Sequence, residues 1–136
     1  MNGNGAIAWL SLVGRILYGG IFAFNGLNHF MKFSQMTGYA AAKGVPVPSL
    51  AVIVTGLLLL VGGLMIVFGW KVRLGAALIA IFLLPTSFMM HNFWAVPAEQ
   101  QMGEMINFMK NMMLLGAALM IMVPTHWPKA LEKPGP

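Results

Sequence analysis

The stretch Leu50–Trp70, LAVIVTGLLLLVGGLMIVFGW, contains no Asp, Glu, Lys or Arg and holds an unbroken aliphatic run from Leu57 to Val61. At about 1.5 Å per residue it is long enough to cross the ~30 Å hydrocarbon core of a bilayer as a helix. Three more apolar runs of similar length flank it, at about Ala8–Phe30, Leu74–Trp94 and Met105–Pro124. Composition agrees: 59% of the 136 residues are hydrophobic, 8% are charged, and mean hydropathy is +0.80. A soluble domain carries roughly a quarter charged residues. The eight Lys+Arg and three Asp+Glu cannot clothe a water-soluble globule of this size. A soluble enzyme is excluded, as is a disordered chain, which needs low hydrophobicity. The sequence predicts an all-α integral-membrane four-helix bundle, a single membrane domain over residues 1–136 with an irregular tail at 125–136.

The breaks between spans have physical causes. Gly44-Val-Pro46-Val-Pro48 cannot stay helical, because each proline lacks an amide donor and restricts the residue before it. Trp70-Lys71-Val72-Arg73 reads as a tight polar hairpin, and Ala95–Met102, with Pro97 and Glu99-Gln100-Gln101, as a short polar loop. Pro124, Pro128, Pro134 and Pro136 end the last span. The start, Met-Asn-Gly-Asn-Gly, has no Lys or Arg, so a secretory signal peptide is not expected.

The net charge of +5 is scattered singly, a pattern that orients a membrane chain and does not bind nucleic acid. Lys71, Arg73, Lys129 and Lys133 share one side, with Arg15 in the span half nearest it. Lys32, Lys43 and Lys110 lie at the other side beside Glu99 and Glu104. The excess places both termini in the cytoplasm.

Small residues mark expected helix contacts, since they let backbones approach closely where no hydrophobic effect drives association. Gly19 and Gly26, Gly56 and Gly63, and Gly62 and Gly69 are each seven apart and share a face. Ala76 and Ala80 are four apart, and Gly116 sits mid-span. Pro85 should kink the third span and free the carbonyl of Ile81.

Polar groups inside spans are costly, so their positions are informative. At 100° per residue, Arg15, Tyr18, Phe22, Asn25 and His29 fall within about 80° of arc, and Gln100, Glu104, Asn107 and Asn111 within about 60°. Ser87, His91 and Trp94 share a face of the third span. Alternating helix direction brings His29, His91, Glu104 and Asn107 toward one leaflet, the non-cytoplasmic one. The expectation is a polar pocket walled by the first, third and fourth spans, with the second as scaffold.

Each element also has a structural reading. Arg15 can snorkel to headgroups. His29 and His91 read as quinone hydrogen-bonders, a proton relay or axial haem ligands, or simply as interfacial histidines beside Asn28, Asn92 and Trp94. Glu104 is a proton relay or a solvated acid at a helix start, where a negative charge is favourable anyway. Asn107 and Asn111 can bond across helices. Thirteen methionines, with Met89-Met90-His91 at a span end, suit Cu(I), yet methionine is also an adaptable packing residue. Zero cysteines exclude disulfides and thiolate metal sites, and no metal motif of recognised spacing or nucleotide loop is present.

These pieces, in order, resemble the DoxX family of small four-span bacterial membrane proteins. The resemblance rests on Arg15 followed by FAFNGLNHFMK at Phe22–Lys32, then Gly44-Val-Pro46, Gly62-Gly63 with Gly69, and Arg73 with Gly75-Ala76-Ala77. His91-Asn92-Phe93-Trp94 and the Asn107–Asn111 stretch complete it. It implies a bacterial cytoplasmic (inner) membrane, a link to redox chemistry such as thiosulfate:quinone oxidation, and no single shared activity. This chain departs from the family pattern at Leu59, where many members carry a glutamate before the paired glycines.

Three roles follow as expectations. One is an accessory subunit of a quinone-linked redox complex, not catalytic alone, whose polar pocket receives a quinone or lipid head group. The others are a structural or assembly subunit of a larger membrane complex, and a Met/His copper-handling protein. Partners are membrane lipid, a larger complex, or further copies of the chain.

Overall fold

The computed structural model describes residues 3–123. Every regular element among them is helical: α1 (Gly3–Arg15), a π-helical turn (Ile16–Gly20), α2 (Ile21–Met31), α3 (Phe33–Ala42), α4 (Pro48–Phe68), α5 (Val72–Met90), a 3-10 turn (Phe93–Ala95) and α6 (Ala98–Met122). Four helical stretches are long and apolar enough to cross a membrane: Gly3–Met31, Pro48–Phe68, Val72–Ala95 and Ala98–Met122. The expected spans all appear, with shifted ends. The first begins at Gly3, not near Ala8, and the fourth at Ala98, not near Met105. The expected polar loop over Ala95–Met102 therefore shrinks, and Glu99, Gln100 and Gln101 lie in the first turn of α6. Pro97 starts that helix, its carbonyl accepting from the Gln100 amide at 2.9 Å. Glu and Gln are good helix formers, and an acid is favoured at a helix start. The irregular tail and the prolines that end the last span lie outside the described residues.

Two elements were not legible in the pattern. The amphipathic α3 fills the first connection before Gly44. The π turn at Ile16–Gly20 widens the first span by its i→i+5 bonding, so residues before it are rotated relative to those after it.

Glycines decide how the first three spans meet. A Cβ on Gly19 would lie 2.6 Å from the Gly63 carbonyl oxygen, and one on Gly26 would lie 2.7 Å from that of Gly56. The two pairs are one heptad apart on antiparallel helices, so the first span, from its π turn into α2, touches α4 backbone to backbone over two turns. Gly62 and Gly75 do the same for α4 and α5, each Cβ falling 2.8 Å from the other's carbonyl oxygen. Gly116 has no such neighbour within 4 Å; it is not a packing glycine, and Gly75 supplies the close contact that the sequence reading gave to others. Ala76 is fully buried, and Ala80 packs against the same core.

The core joins all four spans through Phe22, Leu59, Ile66, Ala76, Ile79, Leu83 and Ala118. Tyr18 ties the first span to the last: its hydroxyl donates to the Leu114 carbonyl at 2.7 Å. The hairpin between α4 and α5 closes at Gly69, whose φ of 69° is left-handed. The amides of Gly69 and Trp70 return to the carbonyls of Ile66 and Met65, capping α4. Pro85 is accommodated inside α5, and the Ser87 hydroxyl donates to the Leu83 carbonyl. At the opposite end, Val47 enters α4 with φ 45°, a strained value for a β-branched residue held between two prolines.

Candidate functional site

At the α3 end of the bundle, α2, α3, α4 and α5 line a half-open cavity of about 440 Å³. Its walls are mostly apolar, including Val52, Leu58, Ile81 and Phe82, with His29, Tyr39, Thr55, Thr86 and His91 as polar members. A mostly apolar hollow with a few placed polar groups is the usual form of a small-molecule site.

Glycine packing creates the site. Because Gly56 has no side chain, α2 sits close enough that a Cβ there would meet His29 Cβ at 2.9 Å and the Phe30 ring at 3.0 Å. His29 is thereby pressed between α4 and α5, its ring edge-on to Phe82 with centroids 6.2 Å apart. Its Nδ1 donates to the Asn25 carbonyl at 2.7 Å. A carbonyl can only accept, so the proton is on Nδ1 and Nε2 is the free ring nitrogen.

His91 ends α5 on the same cavity. Its Nδ1 donates to Glu104 Oε2 at 2.8 Å, and Lys43 Nζ donates to Glu104 Oε1 at 3.2 Å. The three side chains are each less than a fifth exposed. This small network pins the end of α3 to both α5 and α6. Beside it, Phe88, Phe93, Trp94 and Phe108 form a cluster of edge-on and tilted rings with centroids 5.1–6.0 Å apart.

The remaining candidates spread over the bundle. Arg15 lies at the other end, its Nη1 against Gly69, and its buried Nε has no hydrogen-bond partner among the described residues. Tyr18 is in mid-bundle on Leu114. Asn25 is exposed and contributes only its carbonyl to His29. Asn107 Oδ1 accepts from Lys110 Nζ at 3.4 Å, and Asn111 is buried at 8% exposure. The stripe expected on the first span is spread along its length: Arg15 meets Gly69 at one end of α4 and His29 meets Gly56 toward the other, fourteen residues or roughly 20 Å apart, so the two do not share a site. His29 and His91 come together; Arg15, Asn107 and Asn111 are not on the cavity wall.

The walls also differ from the expectation. The second span is more than scaffold: α4 contributes Ala51, Val52, Val54, Thr55 and Leu58. The fourth contributes no lining residue and acts through Glu104 on His91. The reading of the residues missed Lys43 as a partner, and Tyr39, Thr55 and Thr86 as lining. The nearest signal was the opposite charge of Lys43 and Glu104 at the same membrane side. At the family-pattern position, Leu59 is 1% exposed in the apolar core.

A family model described as DoxX matches residues 10–92. A protein of Escherichia coli (strain K12) named "Inner membrane protein YphA" is 32% identical over 114 residues, covering 84% of this chain and 81% of the relative. No solved structure matches the chain.

Proposed function

The chain belongs to the DoxX family and is an integral protein of the bacterial inner membrane, and from that premise we propose that it is an accessory subunit of a membrane redox complex, offering a quinone-type head group a site at its α3 end. One observation carries this reading: His29 and His91, from different spans, share one mostly apolar cavity of about 440 Å³. That size and lining suit a ring with an apolar tail. A bound quinone would supply the two-electron chemistry, which this chain lacks. The chain's residues would orient the ring, exclude water with Val52, Leu58 and Phe82, and offer His91 as a proton-exchange group backed by Glu104. The excess of basic residues on the side of the Lys71–Arg73 hairpin, counted with Arg15, Lys129 and Lys133, supports a reading with the cavity near the non-cytoplasmic leaflet and both termini in the cytoplasm.

Native mass spectrometry of the protein extracted from its own membrane in mild detergent tests this directly. Large redox subunits and a quinone-sized adduct are expected, and replacing both histidines should abolish quinone-dependent turnover of that complex. Full turnover with both histidines replaced would overturn it. Partners carrying only lipid would favour an assembly role, to which the apolar Leu59 is suited.

A second reading has its own observation. Met36, Met89 and Met90 line the same cavity as the two histidines, and thioether with imidazole is a Cu(I) donor set. Retained or loadable copper in purified protein is its expected result; a preparation that takes up no Cu(I) ends it.

A further inference from the structure

Positive charge gathers at the end of the bundle opposite the cavity. Arg15, on the first span, lays its Nη1 against Gly69, where a Cβ would collide with it. Gly69 has no side chain and a left-handed φ of 69°, so the α4–α5 hairpin turns directly beneath the guanidinium. Lys71 and Arg73 follow within four residues, and both are exposed. Lys71 Nζ stands 5.0 Å from the centroid of the Trp70 ring. None of the three cations has a carboxylate partner among the described residues, where the ion pairs are Lys43–Glu104 and His91–Glu104 at the other end. Glu99 also lies at that other end, in the first turn of α6, and Glu132 is outside the described residues. The buried Nε of Arg15 has no acceptor among the described residues.

The start of α5 adds to the same field. Lys71 is its N-cap and makes no side-chain capping bond. The Gly75 amide returns to the Lys71 carbonyl at 3.1 Å, and the amides of Val72, Arg73 and Leu74 before it have no intrahelical acceptor. The positive end of a helix dipole disfavours Lys and Arg. Three cations and a helix start of the same sign therefore meet at one turn, with no anion among the described residues to offset them.

We propose that this turn binds the phosphodiester of an anionic phospholipid, with Arg15 as the positioned donor and Lys71 and Arg73 as supporting charges. A planar guanidinium pairs with two oxygens of one phosphate, which gives orientation as well as attraction. The phosphate belongs to a lipid because the turn lies where α4, a helix of membrane-spanning length, ends. Phe68 and Trp70 flank it, 77% and 61% exposed. Tryptophan is enriched at headgroup depth, and basic groups there favour anionic lipid. A choline headgroup carries its own cation, which three more would repel, so the site discriminates by headgroup charge. This end of the bundle is separate from the cavity, and neither site depends on the other.

The test titrates the full chain in detergent micelles with phosphatidylglycerol or phosphatidylcholine of identical acyl chains, and reads bound lipid by native mass spectrometry. Inorganic phosphate is added as a competitor. Phosphatidylglycerol should bind about tenfold more tightly than phosphatidylcholine, and equimolar phosphate should not displace it. Arg15→Gln should weaken phosphatidylglycerol binding about fivefold or more, and the double variant Lys71→Asn, Arg73→Gln should do the same. The double variant changes exposed positions only, so it keeps the test decisive if Arg15→Gln disturbs the fold; unfolding midpoints in lipid-free detergent report folding. Lys32→Gln removes an exposed cation at the other end and should leave affinity unchanged. Equal affinity for the two lipids overturns the proposal. A phosphatidylglycerol preference that survives both the Arg15 variant and the double variant overturns it as well. A loss of the same size from Lys32→Gln would report net charge and no site. Displacement by equimolar phosphate would assign the turn to a soluble anion and overturn the lipid assignment.

Discussion

His91 Nδ1 donates to Glu104 Oε2 across 2.8 Å, joining the end of α5 to the second turn of α6. The same carboxylate accepts from Lys43 at the end of α3. One acid therefore fixes both the imidazole on the cavity wall and the short helix that covers it. Glu104→Ala removes both bonds and should lower stability by about 1–3 kcal/mol, since it strands two part-buried partners. Thermal unfolding in mild detergent measures the loss. Hydrogen exchange should show faster opening around Lys43, while the hairpin at Gly69 keeps its protection; unchanged exchange in α3 would count against this role for Glu104.

Gly63 and Gly116 are both mid-span glycines with opposite surroundings. A Cβ on Gly63 would meet the Ala23 backbone nitrogen at 2.5 Å, whereas one on Gly116 would meet nothing within 4 Å. Gly63→Ala should cost roughly 1–3 kcal/mol or more by forcing α2 and α4 apart. Gly116→Ala should be neutral or stabilising by up to about 1 kcal/mol, because alanine is the better helix former. Paired unfolding midpoints of the two variants decide the point.

Tyr18→Phe deletes the hydroxyl that reaches the Leu114 carbonyl at 2.7 Å and keeps the ring, which packs edge-on to Phe22 at 5.1 Å. A loss of about 0.5–1.5 kcal/mol is expected. Tyr18→Leu should cost more, since the ring contact also goes. Equal stability of the Phe variant and the parent protein would mean that the link between first and last spans contributes nothing.

Leu59→Glu installs the acid that the family pattern carries at this position. Leu59 is 1% exposed in an apolar cluster with Phe22, Ile66, Ile79 and Leu83, whose members among the described residues are all hydrophobic. Burying an unpaired carboxyl costs several kcal/mol, so the variant should fail to accumulate folded protein. Leu59→Met, close in volume, should cost less than about 1.5 kcal/mol. Size-exclusion profiles of the two variants in detergent separate these outcomes; a well-folded Glu variant would show that this core tolerates the family's acid.

The sequence by itself determined the membrane architecture. Hydrophobic run length is a local property, and lipid requires each span to satisfy its own backbone groups, so four apolar runs are enough to dictate four helices. The heptad spacing of Gly19 with Gly26 and of Gly56 with Gly63 likewise announced a close helix contact, though not that the two pairs face each other. The connection helix at Phe33–Ala42 and the start of α6 at Ala98 escaped because polar, amphipathic turns carry no run-length signal. Tertiary structure alone decided the site. A shared helix face says nothing of depth: Arg15 meets Gly69 at one end of the bundle and His29 lies on the cavity at the other, because fourteen residues of helix span roughly 20 Å. Which helix lies beside which is set by backbone approach at Gly56 and Gly62, and it turned α4 from scaffold into wall. The His29 Nδ1 is held by a carbonyl one turn back on its own helix, whereas the His91 Nδ1 is held by a carboxylate that only the packing of α6 beside α5 brings to 2.8 Å.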